Sequence, residues 1–177
     1  MKSILVFCGS RLGGSPKFKK DAFLVGEGIG KKNYRLVYGG AQVGLMGAVA
    51  DGCLSTDGKV LGILPSFFQD FKEVPHESLS ELRLVDSMLI RKEIMFEESD
   101  LVVLLPGGVG SLDELFEAIT ADQLKLHQFP IHVLNTDGFY DPTISQMSLM
   151  IKNGFVDSET LENLVLHDTV ESLLAAI

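Results

Sequence analysis

Along the chain, short unbroken apolar runs take turns with longer stretches in which apolar side chains recur every three or four positions. Runs of the first kind fit strands covered on both faces, and stretches of the second kind fit amphipathic helices. Residues 2–8 (KSILVFC) open the series as a buried strand. A glycine-rich turn occupies 9–15, where Ser15-Pro16 sets a capping hydroxyl ahead of a proline at the first helical position. The helix so started is predicted to reach about residue 32, with Phe18, Ala22, Val25 and Ile29 on its inner face.

The alternation continues with strands predicted at 35–38, 59–64, 82–85, 101–105 and 130–134. Helices are predicted at 44–55, 87–99, 111–127 and 142–152, and again after Asp168, where Asp168 and Glu171 have capping-box spacing. Asp57-Gly58 reads as a turn, Pro65 stops the third strand, and 66–80 reads as an irregular stretch around Pro75 with a short helical piece. Strand–helix alternation at this spacing predicts an α/β fold: a Rossmann-like, doubly wound parallel sheet with right-handed crossovers, residues 1–177 forming a single domain. In such sheets ligands bind beyond the carboxyl ends of the strands. The glycine clusters at 9–14, 39–47 and 107–110 each follow an apolar strand and would line that one edge.

Charge narrows the function. The formal net charge is −9 and no concentrated basic surface is written in the sequence, which argues against a nucleic-acid partner. Lys17, Lys19 and Lys20, with Lys31 and Lys32, read as a solvated helix face. A phosphate must therefore be held locally, by helix N-termini and a few placed cations. No apolar run approaches the roughly 20 residues of a membrane span, and no secretory pattern follows the first strand. Cys8 and Cys53 read as free buried thiols of a reducing compartment, so a cytoplasmic protein is expected. His76, His127, His132 and His167 have no metal-ligand spacing and read as structural or surface residues; no metal is expected.

The turn Gly9-Ser10-Arg11-Leu12-Gly13-Gly14 has neither the dinucleotide order G-x-G-x-x-G nor the Gly-Lys-Ser/Thr ending of a P-loop. The turn Gly107-Gly108-Val109-Gly110, ahead of Ser111, is richer: its backbone can approach a ligand closely, and the helix start offers unpaired N–H groups to an anion. Ser111 and Glu114 have capping-box spacing, so Glu114 either caps its own helix or reaches a sugar bound beside its phosphate. Glu117 follows one turn later on the same predicted face. Arg91-Lys92 sits between Met88 and Met95 at helical spacings. Such a pair either covers a methionine patch with its heads in water or presents a planar guanidinium to a desolvated ligand.

At these residues the sequence resembles a known family. Pro106-Gly107-Gly108-Val109-Gly110-Ser111-Leu112-Asp113-Glu114 is similar to the P-G-G-x-G-T-x-x-E signature of the Lonely Guy (LOG) phosphoribohydrolases, with Ser111 keeping the hydroxyl. Arg91-Lys92 with Met95 resembles the family's R-K-x-x-M segment. Phe7-Cys8-Gly9-Ser10, Leu36-Val37-Tyr38-Gly39-Gly40, Gly44-Leu45-Met46-Gly47, the 130–135 stretch and Gly138-Phe139-Tyr140-Asp141 extend the likeness over nearly the whole chain. Leu89-Ile90 stand where many members have His-Glu, and Ala121-Asp122 precede Gln123 where many have Trp. The resemblance implies hydrolysis of the N-glycosidic bond of a nucleoside 5′-monophosphate, with no cofactor, in a homodimer. It implies Arg91 and Glu114 as the catalytic pair and Gly107, Gly108, Val109, Gly110 and Ser111 as the phosphate turn. Ser10, Gly39, Gly40, Met88, Lys92 and Glu117 are the expected substrate contacts. Two competing readings are a non-catalytic nucleotide or molybdenum-cofactor carrier of similar fold, and lysine decarboxylase, a label the family has carried.

Overall fold

The computed structural model describes residues 1–67 and 74–177. The strands are β1 (Ser3–Phe7), β2 (Arg35–Tyr38), β3 (Lys59–Pro65), β4 (Glu81–Val85), β5 (Leu101–Leu104), β6 (Ile131–Leu134) and β7 (Leu164–His167). The helices are α1 (Pro16–Lys31), α2 (Gly44–Leu54), α3 (Met88–Glu97), α4 (Val109–Gln123), α5 (Asp141–Lys152) and α6 (Val170–Ala176). The strands form one sheet in the order β4-β3-β2-β1-β5-β6-β7, every pairing parallel. This is the Rossmann-like α/β architecture expected from the alternation.

Two apolar layers hold the sheet. One face packs on Ala22, Val25 and Ile29 of α1, on α2, and on Val170 and Leu173 of α6. The other packs on Met95 and Phe96 of α3, on Leu115 and Ile119 of α4, and on Met147 of α5. Strands β1, β5 and β6 are buried throughout, which is why their sequences are unbroken apolar runs. Ser15 caps α1, its Oγ accepting the Lys17 N–H at 3.3 Å with Pro16 next in line. The lysines at 17, 19, 20, 31 and 32 are all exposed, as a solvated face requires.

Three expectations need correction. Strand β7 has no counterpart in the predicted elements; it lies at the sheet edge with two of its four residues exposed, so its pattern is no longer an apolar block. Helix α4 starts at Val109 with Gly108 as its cap, two residues before the predicted start, and Ser111 lies inside the first turn. The Ser111–Glu114 capping box is therefore not formed. Near the carboxyl end, Thr169 caps α6, its hydroxyl accepting the Ser172 N–H at 3.1 Å, in place of Asp168. The helical piece expected within 66–80 falls largely on 68–73, outside the described residues. Among the described residues no helix is long and apolar enough to cross a membrane.

Candidate active site

The sheet order reverses its direction of winding at β1, which pairs with β2 on one side and β5 on the other. The crevice beyond the carboxyl ends of β1 and β5 is thus a topological switch point. A cavity of about 500 Å³ lies there. Its floor is the turn after β1 and the turn after β5, joined by a hydrogen bond from the Gly9 N–H to Pro106 O at 3.1 Å. The loop after β1 is also fixed to α2, whose Leu45 N–H donates to Gly9 O at 3.0 Å.

The turn after β5 has two kinds of glycine. A Cβ on Gly107 would lie 2.1 Å from Ser111 Oγ, so that glycine makes room for the buried serine beneath it. A Cβ on Gly108 or Gly110 would meet nothing within 4 Å. The space beside these two is open, and the first N–H groups of α4 have no helical partner. Backbone amides facing an open cavity at a helix start form an anion site.

Arg91 comes from the first turn of α3 and is buried. Its Nε donates to Ile63 O at 3.0 Å and its Nη2 to Gly39 O at 3.1 Å, while Nη1 lies 3.6 Å from Met88 Sδ. Gly39 can accept the guanidinium because it has no side chain: a Cβ there would stand 2.2 Å from Nη2. The guanidinium is thereby fixed in orientation at the cavity wall, alongside Met88.

Glu114, from the first turn of α4, lines the same cavity. Burial pushes its carboxyl up from the ordinary carboxylate range to about 7; the positive charge of Arg91 pulls it down, and Asp113 pushes it further up. A carboxyl titrating near neutrality in a cleft fits acid–base work. Cys8 also lines the cavity, but burial and the nearby Glu114 drive its thiol far up, so it stays protonated and is a poor nucleophile.

The structure thus brings Ser10, Met88, Arg91, the 107–111 turn and Glu114 to one cavity. It does not bring Gly39, Gly40, Lys92 or Glu117 to its lining. Gly39 positions Arg91, and Gly40, at a φ of 81°, packs against Ile63 and Leu64. Lys92 and Glu117 pair with each other in a separate groove between α3 and α4, where Lys92 Nζ also reaches Asp113 Oδ2 at 3.1 Å. The expectation that Glu114 and Glu117 share a face fails because the cavity and the groove lie on different sides of α4.

Sequence reasoning missed Arg11, Phe18 and Phe139 as cavity residues. Phe18 and Phe139 meet edge to face at 5.7 Å, joining the start of α1 to the turn after β6. Lys17–Asp137 at 2.6 Å and the buried Thr136–Asp21 hydrogen bond at 2.8 Å brace the same junction. Tyr140 anchors it from below, its hydroxyl donating to Leu105 O at 2.7 Å. Among the described residues no cluster of three or more His, Cys, Asp and Glu could hold a metal ion.

Comparison with known proteins adds an independent line. A family model described as "Possible lysine decarboxylase" matches residues 46–177. A Rhodococcoides fascians protein named cytokinin riboside 5′-monophosphate phosphoribohydrolase is 39% identical over 176 residues, spanning 99% of this chain and 89% of that one. An Oryza sativa subsp. japonica protein, cytokinin riboside 5′-monophosphate phosphoribohydrolase LOG, is 35% identical over 173 residues, spanning 98% and 70%. The molybdenum cofactor binding protein of Rippkaea orientalis matches in structure with a TM-score of 0.74 over 99% of this chain and 95% of that one; at 22% identity it shares the fold alone.

Proposed function

The chain belongs to the LOG family of phosphoribohydrolases, and from that premise we propose that it hydrolyses the N-glycosidic bond of nucleoside 5′-monophosphates of the cytokinin or adenine type, releasing free base and ribose 5-phosphate. The observation that carries the reading is the meeting of Arg91 and Glu114 in one cavity over the amides of the 107–111 turn. The amides and the Ser111 turn seat the 5′-phosphate. Cleavage of a ribosyl C–N bond develops positive charge on the sugar, as in glycoside hydrolysis. Ionised Glu114 stabilises that charge and orients the attacking water from beside the ribose. Arg91, fixed by two carbonyl oxygens, stabilises negative charge on the phosphate or on the departing base. Ser10 and Met88 complete the nucleotide pocket.

We further take residues 1–177 as one nucleotide-binding unit acting in the cytoplasm as a homodimer. Exposed Leu89, Leu124 and Leu126 along the α3–α4 groove support pairing through that face; a monomer in sedimentation equilibrium would count against it. The carrier reading is disfavoured because the acid and the guanidinium both face the cavity. Lysine decarboxylation would need pyridoxal phosphate on a lysine. No described lysine lines the cavity, and Lys92 is tied to Asp113 and Glu117 outside it.

The test is chromatography of free base after incubation with AMP, GMP, CMP, UMP and isopentenyl-AMP. Release from the adenine-type monophosphates is expected. Saturable binding without release from any of them would replace the enzyme by the carrier.

A further inference from the structure

We propose that Arg11 is the cation that clamps the 5′-phosphate of the nucleotide, a role that rests on the phosphoribohydrolase reading above. The cavity has a charge problem. The protein carries a net charge of −9, and the cavity itself presents the carboxyls of Asp113 and Glu114. Its incoming ligand is a phosphate monoester, which is also anionic. Backbone amides at the start of α4 donate hydrogen bonds but bring no full charge.

The available cations are unequal. Arg91 spends Nε and Nη2 on the carbonyls of Ile63 and Gly39. Lys92 is held outside the cavity by Asp113 and Glu117. Lys17 is paired with Asp137. Arg11 lines the cavity, its side chain is exposed, and among the described residues it has no hydrogen bond or ion pair.

Its backbone, in contrast, is fixed beside the phosphate turn. A Cβ on Gly9 would lie 3.2 Å from Arg11 O and 3.3 Å from Gly107 Cα, so the two turns are in direct contact. On the other side, a Cβ on Gly44 would stand 2.5 Å from Arg11 N, and Gly44 sits at a φ of 60° where the loop presses on α2. The main chain of Arg11 is thus wedged between α2 and the 107–111 turn while its guanidinium remains unspent. A planar fork on a fixed base suits a phosphate, which it can meet with two parallel hydrogen bonds.

The experiment compares wild type with Arg11→Ala and Arg11→Lys, each checked for an unchanged melting temperature. Arg11→Ala is expected to raise KM for AMP ~10- to 100-fold, the loss typical of a charge-assisted contact. The inhibition constant of ribose 5-phosphate should rise by the same factor, kcat should fall by much less, and Arg11→Lys should recover part of the affinity. An active wild type whose KM and inhibition constant are untouched by Arg11→Ala overturns the proposal while the enzymatic reading stands. If wild type releases no base at all, that reading fails separately. Calorimetric titration with ribose 5-phosphate then decides the role of Arg11: weaker binding by Arg11→Ala sustains it, and equal binding by the two proteins ends it.

Discussion

Helices α3 and α4 carry two acid–base pairs built from near neighbours, and the surroundings give them different fates. Lys92 and Glu117 meet in the groove between the helices, where Asp113 adds a second carboxylate to the same ammonium. Arg91 and Glu114 meet at the cavity, where the guanidinium is anchored on carbonyl oxygens and burial outweighs its pull on the carboxyl. In the groove, opposite charges satisfy each other and hold two helices together. In the cavity, the acid is left near its point of half-ionisation, with open space beside it. The difference lies in which element supplies the partner: a side chain ends the electrostatic demand, whereas main-chain oxygens fix the arginine and leave the glutamate available.

The sharpest test of this contrast is to neutralise one glutamate at a time. Glu114→Gln should lower kcat ~10³-fold, in the range of a lost acid–base group, whereas Glu117→Gln should change it less than about threefold because it touches only the groove. Comparable losses in both variants, read from steady-state base release, would erase the distinction. A smaller effect concerns pH. With ionised Glu114 as the working form, kcat/KM should climb with pH to a plateau above about 7, falling roughly tenfold per unit on the acid side. Glu117→Gln should leave that midpoint in place; a midpoint that moves with Glu117 would mean the groove titrates too.

The smallest effect is on stability. Glu114 titrates near 7 in the folded protein against an ordinary 4.5, so the native state holds this proton more tightly and loses stability as pH rises from 4.5 through 7. Glu114→Gln should therefore stabilise the ligand-free protein at pH 8 by on the order of 1 kcal/mol. Lys92→Met should destabilise it by about 1 kcal/mol, since the groove is partly open to water. Urea melts showing the same sign for both would contradict the contrast.

Much of the fold was legible because β1, β5 and β6 are buried on both sides and must be apolar throughout, and because Ser15-Pro16 opens α1 by local chemistry alone. Strand β7 was not, since an edge position relaxes the pattern. The start of α4 was misread because Ser111 looks like a cap; its hydroxyl is instead buried beneath Gly107, a tertiary demand that no local spacing reveals. Within the site, Arg91, Glu114 and the 107–111 turn stood out by motif. The placement of Lys92 and Glu117 did not, because adjacent residues on a helix diverge and only packing decides which one meets the cavity. Arg11, Phe18 and Phe139 were invisible for a related reason: they arrive from the turns after β1 and β6, which share no sequence pattern.

The place of β1 between β2 and β5 also shapes how the molecule comes to be. Ile4 must pair with Leu36 and, much further along the chain, with Leu101. The first of these contacts closes a short loop, while the second waits for the middle of the chain and makes folding dependent on distant partners. During synthesis the first four strands can associate while the flank of β1 that β5 will cover is still bare. The cleft between β1 and β5 has no earlier half-formed version: it comes into being when the two halves of the polypeptide close on each other, so binding competence is gained late and in one step.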